Sequence, residues 1–454
     1  MPPKPAAPPV PSYKPVVVGI FGIPGSGKSH LIRATMRQLK GHGFAFYESR
    51  NAIDASCRGG LIGYSQLTEK EQKRCREKAI ISIQKDCTGN NTTGLVAAHY
   101  MFWPQREISG HTIITDADLD TYTHILYLDP PSETIMRYRG MAKEGRMPAS
   151  LAHLGRWRKA EKEELRRLCL SREILFMVLT PPLLASNKLP SILRGFQRHS
   201  EEHNTNVALK CLDNILSTVP GKLEEVTLLD SDTALTPCDG ESLFWSLVCK
   251  ERQRMEMFSS LIKFLEARHG FSYFTLRQTM LIHEEALEHH RMDVLSSQIA
   301  SRIRLYPELK DFLKHFARKR NIKLIVLTHG PRQVWEKVLK REGLADNVGL
   351  VGGGFLEDGI VMTSELRGAL VRHLRETHHA RVRAFGDSLQ NLEMLSQADE
   401  ALIIIGTQQK RAGAVNKEFQ QALARMNHRK VIVPSYDQNQ FDENQVPVTR
   451  LFVE

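Results

Sequence analysis

The apolar run that starts at Val16 passes through glycines into an amphipathic stretch, so residues 16–35, VVVGIFGIPGSGKSHLIRAT, read as a buried strand, a tight turn and a helix start. The same alternation continues. Phe44–Tyr47 predicts a second strand, Thr68–Lys85 a charged helix, Gly94–Phe102 and Thr123–Leu128 further strands, and Ser132–Arg172 a basic helical region. Strands spaced by helices predict a parallel sheet, which places ligands at the carboxyl ends of its strands. Residues 181–225 break the pattern: TPPLLASNKLP leads into a polar amphipathic helix, Ser200–Val219, and reads as a connector. A second parallel series follows at Val226–Leu229, Lys323–Leu327, Arg381–Phe385 and Ala401–Ile405. About ninety mostly helical residues separate its first two strands, too many for a simple crossover, so a helical insertion is expected there.

At 454 residues the chain has room for about two or three cores. The net charge of +11 suits phosphorylated ligands, but it is spread along the chain. No basic stripe with interleaved aromatics appears, so nucleic acid is not an expected partner. No apolar run approaches the ~20 residues of a membrane span. The start, MPPKPAAPPVPSYKP, lacks a hydrophobic signal core, and its seven prolines predict an extended tail over 1–15. The seven cysteines are scattered without a CxxC pair, which predicts reduced thiols and a cytoplasmic setting.

Gly22, Gly27, Lys28 and Ser29 stand at the spacing of a phosphate-binding loop, between a strand and a helix. Gly22, Gly25 and Gly27 let successive N–H groups turn toward phosphate oxygens, with the helix start adding its positive end. Lys28 is positioned for the β- and γ-phosphates of ATP, and the Ser29 hydroxyl for Mg²⁺. Over residues 16–180 the sequence resembles small-molecule kinases of the P-loop class, related to nucleotide and gluconate kinases. That resemblance implies an arginine-bearing lid over the transferred phosphoryl group, for which Arg137, Arg139 and Arg146 are the candidates. Many P-loop enzymes place a carboxylate at the end of the third strand, where this chain has Ala98 and His99. Glu48, Asp54 and Asp116 are the alternatives for metal support or for accepting the substrate proton.

In the second series, one strand ends in LLDSDTALTP, the next in LTHG and the third in FGDSLQNLEML. A D-x-D alone says little, since Asp116-Ala-Asp118 and Asp118-Leu-Asp120 also occur. The order carries the weight: an aspartate pair, a Thr-x-Gly and a Gly-Asp each follow a strand, so their side chains converge in one crevice. Over residues 226–410 this resembles the haloacid dehalogenase superfamily, most closely its phosphoserine phosphatase branch. The resemblance implies Asp230 as nucleophile, Asp232 as acid and base, and Thr328 as a phosphoryl hydrogen-bond donor. Asp230, Asp232, Asp387 and Asn391 are then the Mg²⁺ candidates, and the helices of about 243–304 a cap over a small substrate. Three positions depart from the family: Ala234 replaces a threonine, Arg367 the phosphate-stabilising lysine and Asn391 an acidic residue, with Thr233 and Thr236 beside the first.

The expected architecture is therefore two parallel-sheet α/β domains, a P-loop NTPase fold and then a Rossmannoid fold with a helical cap. The order also resembles fungal multidomain proteins in which these two precede a uracil phosphoribosyltransferase. Residues 411–454 offer no third core and no acidic small-residue loop for phosphoribosyl pyrophosphate, so transferase activity is not carried over. The leading expectation is ATP-binding kinase-like chemistry joined to Mg²⁺-dependent hydrolysis of a small phosphorylated metabolite. Two alternatives stand beside it: a polynucleotide kinase and phosphatase, and a regulatory protein that binds ATP and a metabolite without turnover. Neither the substrates nor the oligomeric state is legible.

Overall fold

A computed structural model describes residues 14–141, 149–185, 188–198, 200–238, 240–248, 252–287, 292–354, 356, 359–404, 419, 421–422, 426, 429–433 and 445–447. The chain packs as two units, Met1–Gln197 and Arg198–Glu454.

In the first unit the strands are β1 (Val17–Phe21), β2 (Phe44–Glu48), β3 (Thr93–Ala97), β4 (Met101–Phe102), β5 (His111–Thr112), β6 (His124–Leu128) and β7 (Leu175–Leu179). Five of them form a parallel sheet in the order β2-β3-β1-β6-β7. Every residue of β1, β3 and β6 is buried, as expected when helices cover both faces of a parallel sheet. Phe21, Ile80, Ile83, Ile125, Leu154 and Trp157 belong to one core cluster. The run read as one strand, Gly94–Phe102, is broken in the structure. After Ala97 the chain leaves the sheet, and Met101–Phe102 pairs antiparallel with β5 instead. That departure sets His99 beyond the end of β3.

The second unit contains β8 (Glu225–Asp230), β9 (Ile322–Thr328), β10 (Val348–Gly352), β11 (Arg381–Gly386), β12 (Glu400–Ile404), β13 (Arg429–Val433) and β14 (Gln445–Pro447). They form one parallel sheet in the order β10-β9-β8-β11-β12-β13-β14. The chain runs outward from β8 to β10 and then restarts on the other side at β11. The crevice between β8 and β11 is therefore the topological switch point, where α/β sheets bind ligands. The helices Gly240–Val248, Arg252–His269, Tyr273–Leu287 and Met292–Arg302 fill the long insertion between β8 and β9.

Two segments differ from the sequence reading. Residues 181–225 divide between the units, and the helix Glu201–Leu216 is core rather than connector: Ala208, Leu212 and Leu216 are buried with Val226, Leu370 and Leu374. Asn204 locks that helix in place, its Nδ2 donating to the Val361 carbonyl and its Oδ1 accepting from the Val361 N–H, both at 2.8 Å. The C-terminal stretch, read as an extension, supplies β13 and β14 to the second sheet.

A fragment beginning at Ser200 should therefore fold cooperatively, whereas one beginning at Lys222 should not. The shorter fragment loses the Glu201–Leu216 helix, exposing the apolar face beneath it and leaving the Val361 amide unpaired. Urea unfolding of the two fragments checks this, and equal midpoints would contradict it.

Candidate active sites

In the second unit, parallel pairing sets Leu229 opposite Phe385, so Asp230 ends β8 level with Gly386 and Asp387 follows directly after β11. Both are buried. Asp230 is held by Arg367, whose Nη1 donates to its Oδ1 at 2.6 Å from a fully buried side chain. Arg367 Nε and Nη2 have no partner. Asp387 also lies within the influence of the Arg367 charge. Burial first, and the charge of Asp230 second, push its carboxyl up to about 7, against the hydrogen bond from Thr233.

Thr233 donates its hydroxyl to Asp387 Oδ2. It does so from a left-handed backbone, φ 57°, which is costly for a β-branched residue and marks a locally strained loop. Sequence reasoning noted Thr233 only as a neighbour of the departure at Ala234. Ala234 itself is fully buried. Thr328 ends β9, and its Oγ1 accepts from the Gly330 N–H at 3.1 Å, closing the Thr-x-Gly turn.

Asn391 lies beside Asp387, but its oxygen is committed to the loop. Oδ1 accepts from Asp387 N at 2.9 Å, Ser388 N at 3.1 Å and Ser388 Oγ at 3.1 Å, while the buried Nδ2 has no partner. A saturated amide oxygen offers no lone pair to a cation, so the geometry corrects the ligand role expected for Asn391 to that of a loop brace. Gly386 makes this possible, because a Cβ there would meet Asn391 Cβ at 2.6 Å.

Asp232 opens into a cavity of about 190 Å³ enclosed by the insertion helices. Glu241, Thr275, His283 and His329 are among its polar lining groups, with Phe244, Phe271, Met280 and Trp335 among the apolar ones. A Cβ on Gly330 would lie 3.4 Å from Asp232 Oδ2 and 3.7 Å from Thr328 Oγ1, so the strand-end groups do meet. A divalent cation fits the buried acidic pair Asp230 and Asp387, because it would offset the burial and the Asp230 charge that together raise the Asp387 carboxyl.

In the first unit, Gly22, Gly25 and Gly27 all adopt positive φ. At Gly22 a Cβ would come within 2.7 Å of the Leu128 carbonyl, so the loop closes only with glycine. Lys28 begins the helix Lys28–Leu39 and folds back over the loop, donating to the carbonyls of Gly22 at 2.5 Å and Ile23 at 3.3 Å. Ser29 and Lys28 line a cavity of about 860 Å³. Arg139 joins this loop, its Nη1 donating to the Pro24 carbonyl at 3.1 Å. Arg137 is exposed, and Arg146 lies outside the described residues.

None of Glu48, Asp54 and Asp116 lines the loop cavity. Asp54 caps the Leu61 N–H at 2.8 Å, and Asp116 is paired with Arg172 on the surface. His99 is there instead, its Nδ1 3.4 Å from Lys28 Nζ. It also lines a neighbouring cavity of about 250 Å³ with Arg50, Tyr64, Arg76 and Asp118. Arg76 Nη1 donates to the Tyr64 hydroxyl at 2.7 Å. Sequence reasoning missed this pocket because its arginines sit on separate helices. Within the basic helical region 132–172, part of the charge is structural: Arg158 and Lys162 both clasp the buried Asp129 at 2.7 Å.

Two family models match the chain. One described as haloacid dehalogenase-like hydrolase covers residues 227–396, and one described as AAA domain covers residues 21–155. The chain thus carries an N-terminal P-loop kinase-like domain and a C-terminal haloacid dehalogenase-like hydrolase domain. No curated protein matches it. Among solved structures, a phosphoserine phosphatase in a phospho-aspartyl intermediate analogue form is 14% identical, with a TM-score of 0.31, over 45% of this chain and 100% of that one. A hydrolase of the same family from Salmonella enterica serovar Typhi is 13% identical, with a TM-score of 0.33, over 51% and 76%. Shikimate kinase from Bacteroides thetaiotaomicron is 12% identical, with a TM-score of 0.28, over 39% and 98%. These likenesses are too weak to assign a substrate. No described helix is long and apolar enough to cross a membrane.

The acidic pair makes stability depend on pH. Asp387 ordinarily titrates near 3.8 and is raised to about 7 here, so the native state holds the proton more tightly than the unfolded chain. That stabilisation is complete below about 3.8 and is lost as pH rises through about 7. In chelator, stability of the isolated second unit should fall by a few kcal/mol across this window. Asp387→Asn should flatten the profile, as read by urea unfolding, and a flat wild-type profile would contradict the arrangement.

Proposed function

We propose that the C-terminal domain is a Mg²⁺-dependent phosphomonoesterase for a small phosphorylated metabolite, of the phosphoserine phosphatase kind. In the same reading the N-terminal domain binds ATP and transfers its γ-phosphoryl group to a small acceptor. One observation carries the first part: Asp230 and Asp387 are buried at neighbouring strand ends, Arg367 grips Asp230, and Asp232 lines a small cavity next to Thr328 and Gly330. At about 190 Å³ that cavity lies below the roughly 300–1,000 Å³ of drug-sized sites, which favours a small ester over a polynucleotide end.

The chemistry follows from the charges. A carboxylate attacks a dianionic phosphoryl group only when fixed positive charge and donors offset their repulsion. Arg367 supplies part of this: on substrate entry its unpartnered Nε and Nη2 donate to phosphoryl oxygens and relax its hold on Asp230. Asp230 then attacks phosphorus while Asp232 gives a proton to the departing oxygen, leaving an aspartyl-phosphate. Asp232 next takes a proton from water, whose attack returns Asp230 and releases phosphate. Mg²⁺ bound by Asp230 and Asp387 would neutralise the charge that accumulates there. Thr328 donates its hydroxyl to a phosphoryl oxygen.

In the first domain, Lys28 and Ser29 support ATP binding with Mg²⁺, Arg139 lies at the loop as a phosphate-neutralising group, and Arg137 and Arg146 are further lid candidates. His99 stands between the nucleotide cavity and the pocket of Arg50 and Arg76, which would accept an anionic small molecule. A second reading, a protein that binds both ligands without turnover, is favoured by the Arg367–Asp230 ion pair, since it neutralises the nucleophile at rest.

Paired variants separate the two activities. Asp230→Asn should lower hydrolysis of p-nitrophenyl phosphate by ~10³-fold or more while leaving Mg-ATP affinity unchanged. Lys28→Ala should do the reverse, weakening ATP binding at least about tenfold in calorimetry. Hydrolysis that survives Asp230→Asn would remove the phosphatase assignment, and unchanged ATP affinity in Lys28→Ala would remove the kinase-like one.

A further inference from the structure

We propose that Asp213, His373 and His378 form a binding site for a Zn²⁺-class transition metal, separate from the phosphatase centre, that clips the helix Glu201–Leu216 to the end of the helix Ser364–Glu376. Asp213 Oδ1 is the meeting point, with His373 Nε2 at 2.7 Å and His378 Nε2 at 2.8 Å. The three ligand atoms all lie within 4.8 Å of one another. The two rings stand 5.2 Å apart at 74°, so each aims its nitrogen at the shared point from a different direction.

The donor set selects the ion. Two imidazoles and one carboxylate suit Zn²⁺ and its first-row neighbours, whereas Mg²⁺ and Ca²⁺ prefer oxygen throughout. Tetrahedral bonds of ~2.0–2.1 Å separate neighbouring donors by roughly 3.3 Å, so each contact here needs to open by only about half an ångström. The side chains have room to do so, being 45%, 18% and 26% exposed for Asp213, His373 and His378. That exposure also leaves a face for a water ligand.

Three further features favour a cation at this point. Both helices end here: the Ser217 N–H donates to the Asp213 carbonyl and the Thr377 N–H to the His373 carbonyl, so ligands sit in two last turns. The negative ends of two helix dipoles therefore face the same spot. His373 Nδ1 lies 3.3 Å from Thr377 Oγ1, an outer partner that can hold Nδ1–H and leave the Nε2 lone pair for the metal. The neighbouring cations are turned away, with Arg372 bonded to Gln397 and Arg375 to Gln397 and Asp399.

A metal here would act on the second unit as a whole. Asn204, Ala208 and Leu212 already bind the Glu201–Leu216 helix to the core, and Asp213 adds a point of attachment to the helix that begins near Arg367. The proposal does not rest on the phosphatase reading.

The test uses the full chain, stripped by chelator and titrated with Zn²⁺ in calorimetry and thermal unfolding. It is compared with His373→Ala/His378→Ala and with Asp213→Asn, whose amide oxygen still accepts both imidazole N–H groups and so preserves the fold. Wild type should bind one equivalent more than the double variant, and Asp213→Asn should weaken that equivalent at least about tenfold. The rise in Tm on adding Zn²⁺ should be lost in both variants. Co²⁺ should give wild type, and not Asp213→Asn, the intense visible bands of a four-coordinate ion. Differences between wild type and variants exclude binding at Cys57 and Cys75, whose Sγ atoms lie 2.8 Å apart, or at Asp230 and Asp387. Equal stoichiometry in all three proteins, or an equal rise in Tm, would overturn the site.

Discussion

Two carboxylates forced together in a buried crevice set the terms for the second domain. Asp230 and Asp387 stand at the ends of neighbouring parallel strands because the β8–β11 register puts them there. Each must then be compensated. Arg367 neutralises Asp230, and Thr233 hydrogen-bonds Asp387 from a strained backbone, while Asn391 braces the loop that presents it. Burial first and the Asp230 charge second still hold the Asp387 carboxyl up, and a divalent cation between the two would relieve both. The departures at Arg367 and Asn391 gain physical meaning here. Arginine keeps one donor on Asp230 with two more to spare, and asparagine substitutes a structural brace for a charge.

The first domain solves a different problem with the same topology. Its loop follows the central strand β1, so the glycine turn and helix start face the carboxyl edge of a sheet whose three inner strands are fully buried. Lys28 turns back onto the loop carbonyls, a position from which a polyphosphate could draw it outward. A buried glutamate, Glu161, is raised to about 7 by burial, with the charge of Lys28 and the hydrogen bond from Trp157 acting against the rise.

The parts of this design that were legible in the sequence are those encoded within a few residues. The glycine loop, the aspartate pair, the Thr-x-Gly and the Gly-Asp each follow an apolar strand, and both parallel sheets follow from that alternation. What escaped was long-range or composite. Asn204 and Val361 are 157 positions apart, so nothing local signals that the Glu201–Leu216 helix belongs to the second core. β10 reads VGLVG, whose glycines hide a strand that packing supports. The pocket beside the loop gathers Arg50, Tyr64, Arg76 and His99 from four separate segments, and Asp129 recruits Arg158 and Lys162 from the basic helical region. The ligand role expected for Asn391 failed because alignment gives a residue type but not what its oxygen already bonds.

The central claim is that Asp230, held at rest by Arg367, becomes the phosphoryl acceptor once substrate arrives. Its most direct test is peptide mass spectrometry of protein mixed with a reactive phosphate ester and Mg²⁺, then quenched in acid within milliseconds. The account predicts one phosphoryl group on the peptide containing Asp230, lost on hydroxylamine treatment as an acyl phosphate should be. A phosphoryl group on any other residue, or steady turnover with no covalent species and full activity in hydroxylamine, would contradict it.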